Sequence, residues 1–325
     1  MLIDDAYLDT LFHAIAEAHR EVRPQVAVTP LTHSSGLSAK SGCQVYLKCE
    51  HLQHTGSFKY RGASNKLRLL DATQRGKGVV AASSGNHGQG LALAGQALGV
   101  PVTVYTASDA SPYKIEAMRA LGADVRTLET DSLGAELEGG RQALQQGKPF
   151  VSPYNDPEII AGQGTIGMEL FEQMPDLAAV FVAVGGGGLI SGIGAALRRL
   201  APSVDVIGCW PANAPTLQRS LEEGRIIEME EAPTISDGTA GGVEPGSITL
   251  PLCQRLLKGT VLVREQEIRD AMRDVAATER WIIEGAAGVA MAGMLKMADA
   301  YRGKKVAVVL CGRNIVLEKY LEAIA

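Results

Sequence analysis

The feature that most restricts this chain is a rhythm. Short apolar runs alternate with helical stretches over most of its length, an order that calls for a parallel sheet covered on both faces. Strands are predicted at 78–82, 100–105 and 124–128, with helices at 86–98, 112–121 and 135–146. The alternation resumes with a strand at 178–184, a helix at 189–200, a strand at 204–209, a helix at 268–280, a strand at 306–310 and a terminal helix. Two α/β units follow, and 325 residues are enough to give both a core. Ahead of them, Leu8, Leu11, Phe12, Ile15 and Ala16 keep helical spacing behind Asp4 and Asp5. Val45, Leu47 and Cys49 alternate with polar residues as in a strand, and 63–70 is helical. The stretch 210–246 is the least regular and reads as loop-rich. No repeat, low-complexity tract or flexible linker interrupts the chain, so a second domain is expected as an insertion into the first.

Charge narrows the partners. With 31 basic and 36 acidic residues the formal charge is −5, which gives no diffuse attraction to nucleic acid or to an anionic membrane. A small molecule is the expected ligand. The uncharged stretch 177–197 is long enough to span a bilayer but holds six glycines, and a strand, a glycine loop and a helix explain it better. Cys43, Cys49, Cys209, Cys253 and Cys311 are odd in number and contain no CxxC pair, which argues against a disulfide framework and a zinc site. Reduced thiols and a cytoplasmic location are expected. Asp4 and Asp5 stand where an export signal would carry Lys or Arg.

Four segments carry candidate chemistry. In Gly56-Ser57-Phe58-Lys59 a lysine follows a turn at a helix start. Such a lysine is either a solvated surface residue or, beside Phe58 and the positive end of a helix, an amine whose charged form is disfavoured and which can attack a carbonyl. Ser83-Ser84-Gly85-Asn86-His87-Gly88 lies between a strand and a helix. It is an anion pocket of N–H groups and hydroxyls, or an ordinary capped turn. Gly185-Gly186-Gly187-Gly188-Leu189 lets the backbone reach a phosphate at a helix N-terminus, yet fits neither GxGxxG nor a Walker motif, so a phosphate without a nucleotide is inferred. Cys311, in Cys311-Gly312-Arg313-Asn314, ends a buried strand, where ligands of open α/β sheets sit; a lone cysteine there can also be simply a small apolar residue. HExxH and GxSxG are absent, which removes support for zinc hydrolysis and the commonest serine-hydrolase design.

These segments, in this order, resemble the fold-type II pyridoxal-phosphate enzymes, and within them the serine/threonine dehydratase and serine racemase family. The resemblance runs through nearly the whole chain and includes Leu47-Lys48-Cys49-Glu50, Ala161-Gly162-Gln163-Gly164-Thr165 and Glu284-Gly285-Ala286-Ala287-Gly288. The stretch 237–246 and the residues from Cys311 to Asn314 further resemble the hydroxyectoine-utilisation and phenylserine dehydratase branch. The resemblance implies a tryptophan synthase β-like fold of two three-layer α/β/α domains with mostly parallel sheets. A large cofactor-binding domain would comprise 1–52 plus 149–325, and a small inserted domain with the substrate loop 53–148. It implies pyridoxal 5'-phosphate held by Lys59 as a Schiff base next to Phe58. Asn86 would bond the cofactor's phenolic oxygen, Gly185, Gly186, Gly187, Gly188 and Leu189 its phosphate, Cys311 would face the pyridine nitrogen, and Glu284 would line the pocket. Ser83, Ser84, Gly85, Asn86 and His87 would receive the substrate carboxylate.

The implied reaction is loss of water from a β-hydroxy-α-amino acid to give a 2-oxo acid and ammonia, with Lys59 removing the Cα proton. Threonine, serine, 3-hydroxyaspartate, phenylserine and a hydroxyectoine-derived amino acid are all candidate substrates. A thiol at the ring nitrogen protonates it less firmly than a carboxylate would, which favours elimination over transamination. Ser84 stands where racemases carry a serine on the opposite cofactor face, so amino-acid racemisation is an alternative; an inactive ligand-binding homologue is a third reading. The family's metal carboxylates would fall at Trp210 and Thr216, so no metal site is expected there. Tyr154 replaces an asparagine of the racemases, and Glu284-Gly285 replaces the usual Glu-Pro. A homodimer is expected by resemblance, without isoleucine feedback, because the chain ends where the family's catalytic unit ends.

Overall fold

The computed structural model describes residues 3–108, 110–130 and 132–325; the first two residues of the N-terminal stretch read for an export signal lie outside them. Nine strands are described: β1 (Leu31–His33), β2 (Gln44–Lys48), β3 (Val79–Ala82), β4 (Val102–Ala107), β5 (Asp124–Leu128), β6 (Ala179–Ala183), β7 (Asp205–Pro211), β8 (Gly259–Val263) and β9 (Lys305–Val309). They form a six-stranded sheet in the order β1-β2-β9-β6-β7-β8 and a three-stranded sheet in the order β3-β4-β5. Only the β1–β2 pairing is antiparallel.

The central strands explain the parallel arrangement. Every residue of β6, Ala-Val-Phe-Val-Ala, is buried, and β9 is buried from Val306 to Val309. A strand apolar on both faces is stable only with helices above and below it. The helices Gly188–Leu200, Gly285–Lys296 and Pro157–Gln173 provide that cover, and the last begins with Asp156 capping two N–H groups ahead of a proline, a strong start signal. The residues 149–151 continue beside β3, through Val80 N–H to the Pro149 carbonyl at 3.0 Å and Val151 N–H to the Val80 carbonyl at 2.8 Å.

The loop-rich reading of 210–246 holds from Gly224 onward and is corrected before it. Trp210 and Pro211 belong to β7, and Thr216–Glu223 is a helix; the stretch without regular structure begins after it. Trp210 is fully buried, which a loop would rarely achieve, and Thr216 Oγ1 donates to Glu231. The five cysteines are unpaired and all buried. No described helix is long and apolar enough to cross a membrane.

Candidate active site

The carboxyl ends of three parallel strands lead to one place: β3 to the loop from Ser83 to Asn86, β6 to Gly185 and β9 to Cys311, with Asn86 bonded both to Asn314 beyond β9 and to Glu284. Such ends are where open α/β sheets bind ligands. The loop before the helix Lys59–Arg68 is zipped to the end of β9. Ser57 forms an antiparallel bridge with Gly312, Phe58 N–H donates to the Cys311 carbonyl at 3.1 Å, and Arg313 N–H to the Gly56 carbonyl at 2.9 Å. This zipper places Lys59, the first residue of its helix, beside Cys311.

The Lys59 amine donates to the Pro153 carbonyl at 2.8 Å and lies 5.1 Å from the centre of the Phe58 ring. Burial brings its pKa down to about 8, only partly offset by the nearby Cys311 and Glu284. Cys311 is itself pushed well above the usual thiol range by burial and by Glu284, so it stands as a neutral thiol. Glu284 is buried, and its carboxyl rises to about 7, chiefly through burial. It accepts from Asn86 Nδ2 at 2.8 and 3.0 Å and from Asn314 N–H at 3.1 Å.

The Ser83–His87 loop presents donors. Ser83 Oγ accepts from the N–H groups of Gly85 and Gly88, each at 3.1 Å, and so holds the turn. Gly85 caps the helix Asn86–Leu98 without any side-chain cap, leaving the N–H groups of Ser84, Asn86 and His87 without an acceptor among the described residues. His87 Nε2 meets the Val151 carbonyl at 2.9 Å; a carbonyl only accepts, so Nε2 carries the hydrogen and Nδ1 is a lone-pair acceptor. Burial, reinforced by Lys59, lowers this imidazole to about 3 and keeps it neutral. Its side chain therefore cannot donate to a carboxylate; only its backbone N–H can. Ser84 is exposed.

The glycine run is packed from behind. A Cβ at Gly185 would come within 3.0 Å of Thr239, and one at Gly186 would enter the Tyr154 ring, whose hydroxyl accepts from Glu244 N–H at 2.9 Å. Gly187, at φ +88°, is the left-handed N-cap of the helix Gly188–Leu200, which has no side-chain cap. The N–H groups of Gly185, Gly186 and Gly187 find no acceptor among the described residues. Lys59 meets this run through Pro153 and Tyr154.

Beside the site lies a second set of charges that sequence reasoning left unassigned. Arg61, fully buried, donates to Glu50 at 2.8 Å from both Nε and Nη2, and to Glu169 at 2.7 and 3.0 Å. Lys48 Nζ donates to Glu169 at 2.5 Å, the Thr29 carbonyl at 2.7 Å and Gln173 at 3.0 Å. Burial alone would raise Glu50, but Arg61 and Lys48 hold it below the usual carboxylate range. This cluster ties the start of the Lys59 helix to β2 and to Pro157–Gln173. Charged residues inside otherwise apolar stretches were its only sequence signal. Pro153, acting through its carbonyl, gave none.

Pyridoxal phosphate requires an amine for its aldehyde, unpaired N–H donors for its phosphate and a donor at its phenolic oxygen. Lys59, the acceptor-less glycine N–H groups and the carboxamide of Asn86 fit those requirements, and Cys311 is a neutral group suited to the ring nitrogen.

Comparison with known proteins gives the same result. A family model described as pyridoxal-phosphate dependent enzyme matches residues 22–312. The L-threonine ammonia-lyase of Thermotoga maritima is 44% identical over 302 residues, covering 93% of this chain and 75% of that protein. The L-threo-3-hydroxyaspartate ammonia-lyase of a Pseudomonas species is 36% identical over 309 residues, covering 95% of this chain and 97% of that one. Among solved structures, the processed form of threonine deaminase isoform 2 from Solanum lycopersicum superposes with a TM-score of 0.94 at 34% identity, covering 99% of this chain and 94% of that chain.

Proposed function

The chain belongs to the pyridoxal-phosphate dependent enzymes, and we propose that it is an ammonia-lyase that converts a β-hydroxy-α-amino acid to a 2-oxo acid and ammonia. The observation that carries this reading is the partly buried Lys59 amine, with a pKa near 8, set between the strand-end thiol Cys311 and the donor loop Ser83–His87. Bound pyridoxal phosphate supplies an electron-withdrawing ring that acidifies the Cα–H of an attached amino acid.

The protein's own groups do the rest. Lys59 would hold the cofactor through its amine and, as a free amine, would take the Cα proton at Nζ; a pKa near 8 leaves a usable neutral fraction at neutral pH. The N–H groups of Ser84, Asn86 and His87 receive the substrate carboxylate. The glycine run binds the phosphate. The thiol of Cys311, kept neutral by burial and Glu284, would hold the ring nitrogen without giving it a full positive charge, which would favour departure of the β-hydroxyl over transamination. The elimination product then takes up water and releases ammonia.

On this reading 53–148 is the inserted unit that carries the carboxylate loop to the cofactor held by 1–52 plus 149–325. The five covered, unpaired thiols support a cytoplasmic location. A homodimer rests on the resemblance alone, and a sedimentation mass of one chain would remove it.

The test is a panel of threonine, serine, 3-hydroxyaspartate and phenylserine, with ammonia and 2-oxo acid both measured on cofactor-loaded protein. Equal release of the two from at least one substrate is expected, falling by at least about 10³-fold in Lys59→Ala. No release from any of them, or full turnover in the variant, would sink the proposal. A second reading, racemisation, is favoured by the exposed hydroxyl of Ser84 on the substrate loop. Inversion at Cα outpacing oxo-acid release, and lost in Ser84→Ala, would establish it.

A further inference from the structure

A chain of hydrogen bonds decides which way the carboxamide of Asn86 faces. Asn314 Nδ2 donates to the Thr55 carbonyl at 2.8 Å, and because that oxygen can only accept, the orientation of the Asn314 carboxamide is fixed. The second hydrogen on the same nitrogen goes to Asn86 Oδ1 at 2.6 Å. With its oxygen taken, Asn86 must turn its Nδ2 toward Glu284, where it finds both carboxyl oxygens. The backbone N–H of Asn314 holds that same carboxyl at 3.1 Å, so one residue grips both ends of the chain. The close approach is built in at Gly56, at φ +72°, where a Cβ would stand 2.8 Å from Asn314 Oδ1. The two Glu284 oxygens belong to one carboxyl and lie close enough together to share a single hydrogen of Asn86 Nδ2, so its other hydrogen is left uncommitted among the described residues.

We propose that Asn314 is a positioning residue that fixes the polarity of the Asn86 carboxamide, so that an N–H and never the oxygen is presented to the phenolic oxygen of bound pyridoxal phosphate. This rests on the cofactor reading above. Without Asn314 the carboxamide of Asn86 is free to turn over, setting its oxygen against two others, the phenolic oxygen and the Glu284 carboxyl. A merely structural Asn314 would act on stability without acting through Asn86.

The test is a double-variant cycle on cofactor-loaded protein, reading the cofactor dissociation constant and the pH midpoint of its visible absorption band, with thermal unfolding of each variant alongside. Asn314→Ala should weaken cofactor binding about tenfold and shift the midpoint. The isosteric Asn314→Asp, which keeps the shape and loses the donor, should move both in the same direction. In an Asn86→Ala background, Asn314→Ala should change neither. Equal losses in both backgrounds, with Lys59→Ala abolishing the band, would overturn the positioning role alone. A band that survives Lys59→Ala would overturn the cofactor reading and this role with it.

Discussion

Two lysines, the fully buried Lys48 and the partly buried Lys59, stand in contrasting company. Lys48 Nζ has a carboxylate, a carbonyl and an amide oxygen as partners, and the neighbouring Arg61 is forked between that same carboxylate, Glu169, and Glu50. Lys59 has one carbonyl, and the nearest carboxyl, Glu284, is tied to amide donors instead of to a cation. Burial lowers the pKa of both lysines, but Glu50 and Glu169 oppose it at Lys48, whereas Lys59 comes down to about 8. Burial of a charge with full pairing builds a scaffold. Burial without pairing leaves a group that trades its proton near neutrality.

Three substitutions would break or sharpen this contrast. The largest effect on stability is expected from Arg61→Met, which leaves Glu50 and Glu169 without their guanidinium and should cost about 3–5 kcal/mol by denaturant unfolding. A cost below about 1 kcal/mol would show the cluster to be dispensable. Lys59→Met should act in the opposite direction on cofactor-free protein. The folded pKa near 8 lies below the ordinary 10.5, so the fold disfavours the ammonium fully below pH 8 and not at all above 10.5. The variant should therefore gain up to about 3 kcal/mol at pH 7, a gain that fades as the pH rises through that window. Glu284→Gln should give the smallest change at pH 7, where relief of the carboxylate is offset by the loss of one of the two oxygens that accept from Asn86 and Asn314. Its carboxyl, raised from 4.5 to about 7, contributes stability that is complete below pH 4.5 and lost as the pH climbs through 7. Glutamine does not titrate, so the variant should flatten that dependence by about 3 kcal/mol; an unchanged pH profile of unfolding would remove Glu284 from the account.

The periodic parts of the fold were legible to within a few residues, the strand predicted at 100–105 falling at Val102–Ala107 and the helix predicted at 268–280 at Glu265–Glu279, and two elements were legible to the residue. The helix predicted at 86–98 is Asn86–Leu98, and the strand predicted at 124–128 is Asp124–Leu128. Pro157–Gln173 was not foreseen as a helix, because Gly162, Gly164 and Gly167 lower its propensity and its surroundings are apolar on most sides. Packing explains those glycines: a Cβ at Gly162 would meet Gly62 at 2.5 Å, and one at Gly167 would meet the Ile193 carbonyl at 2.9 Å. The strand β8 and the helix Gly285–Lys296 were likewise missed, the first for its shortness and the second because its glycine- and alanine-rich start carries little period. At the site, Lys59, the glycine run and the 83–87 loop stood out by residue type. Asn314 was visible only as part of a motif, since its importance lies in which atoms face Thr55 and Asn86, a matter of three-dimensional aim that spacing does not encode.

The five covered thiols make the molecule its own reporter of opening. An alkylating reagent reaches Cys209, Cys253 and Cys49 only when the large sheet and its helices part, while Cys311 is uncovered by loosening of the loop zipped to β9. The order in which these sulfurs become labelled would trace the sequence in which the protein comes apart, without any added probe.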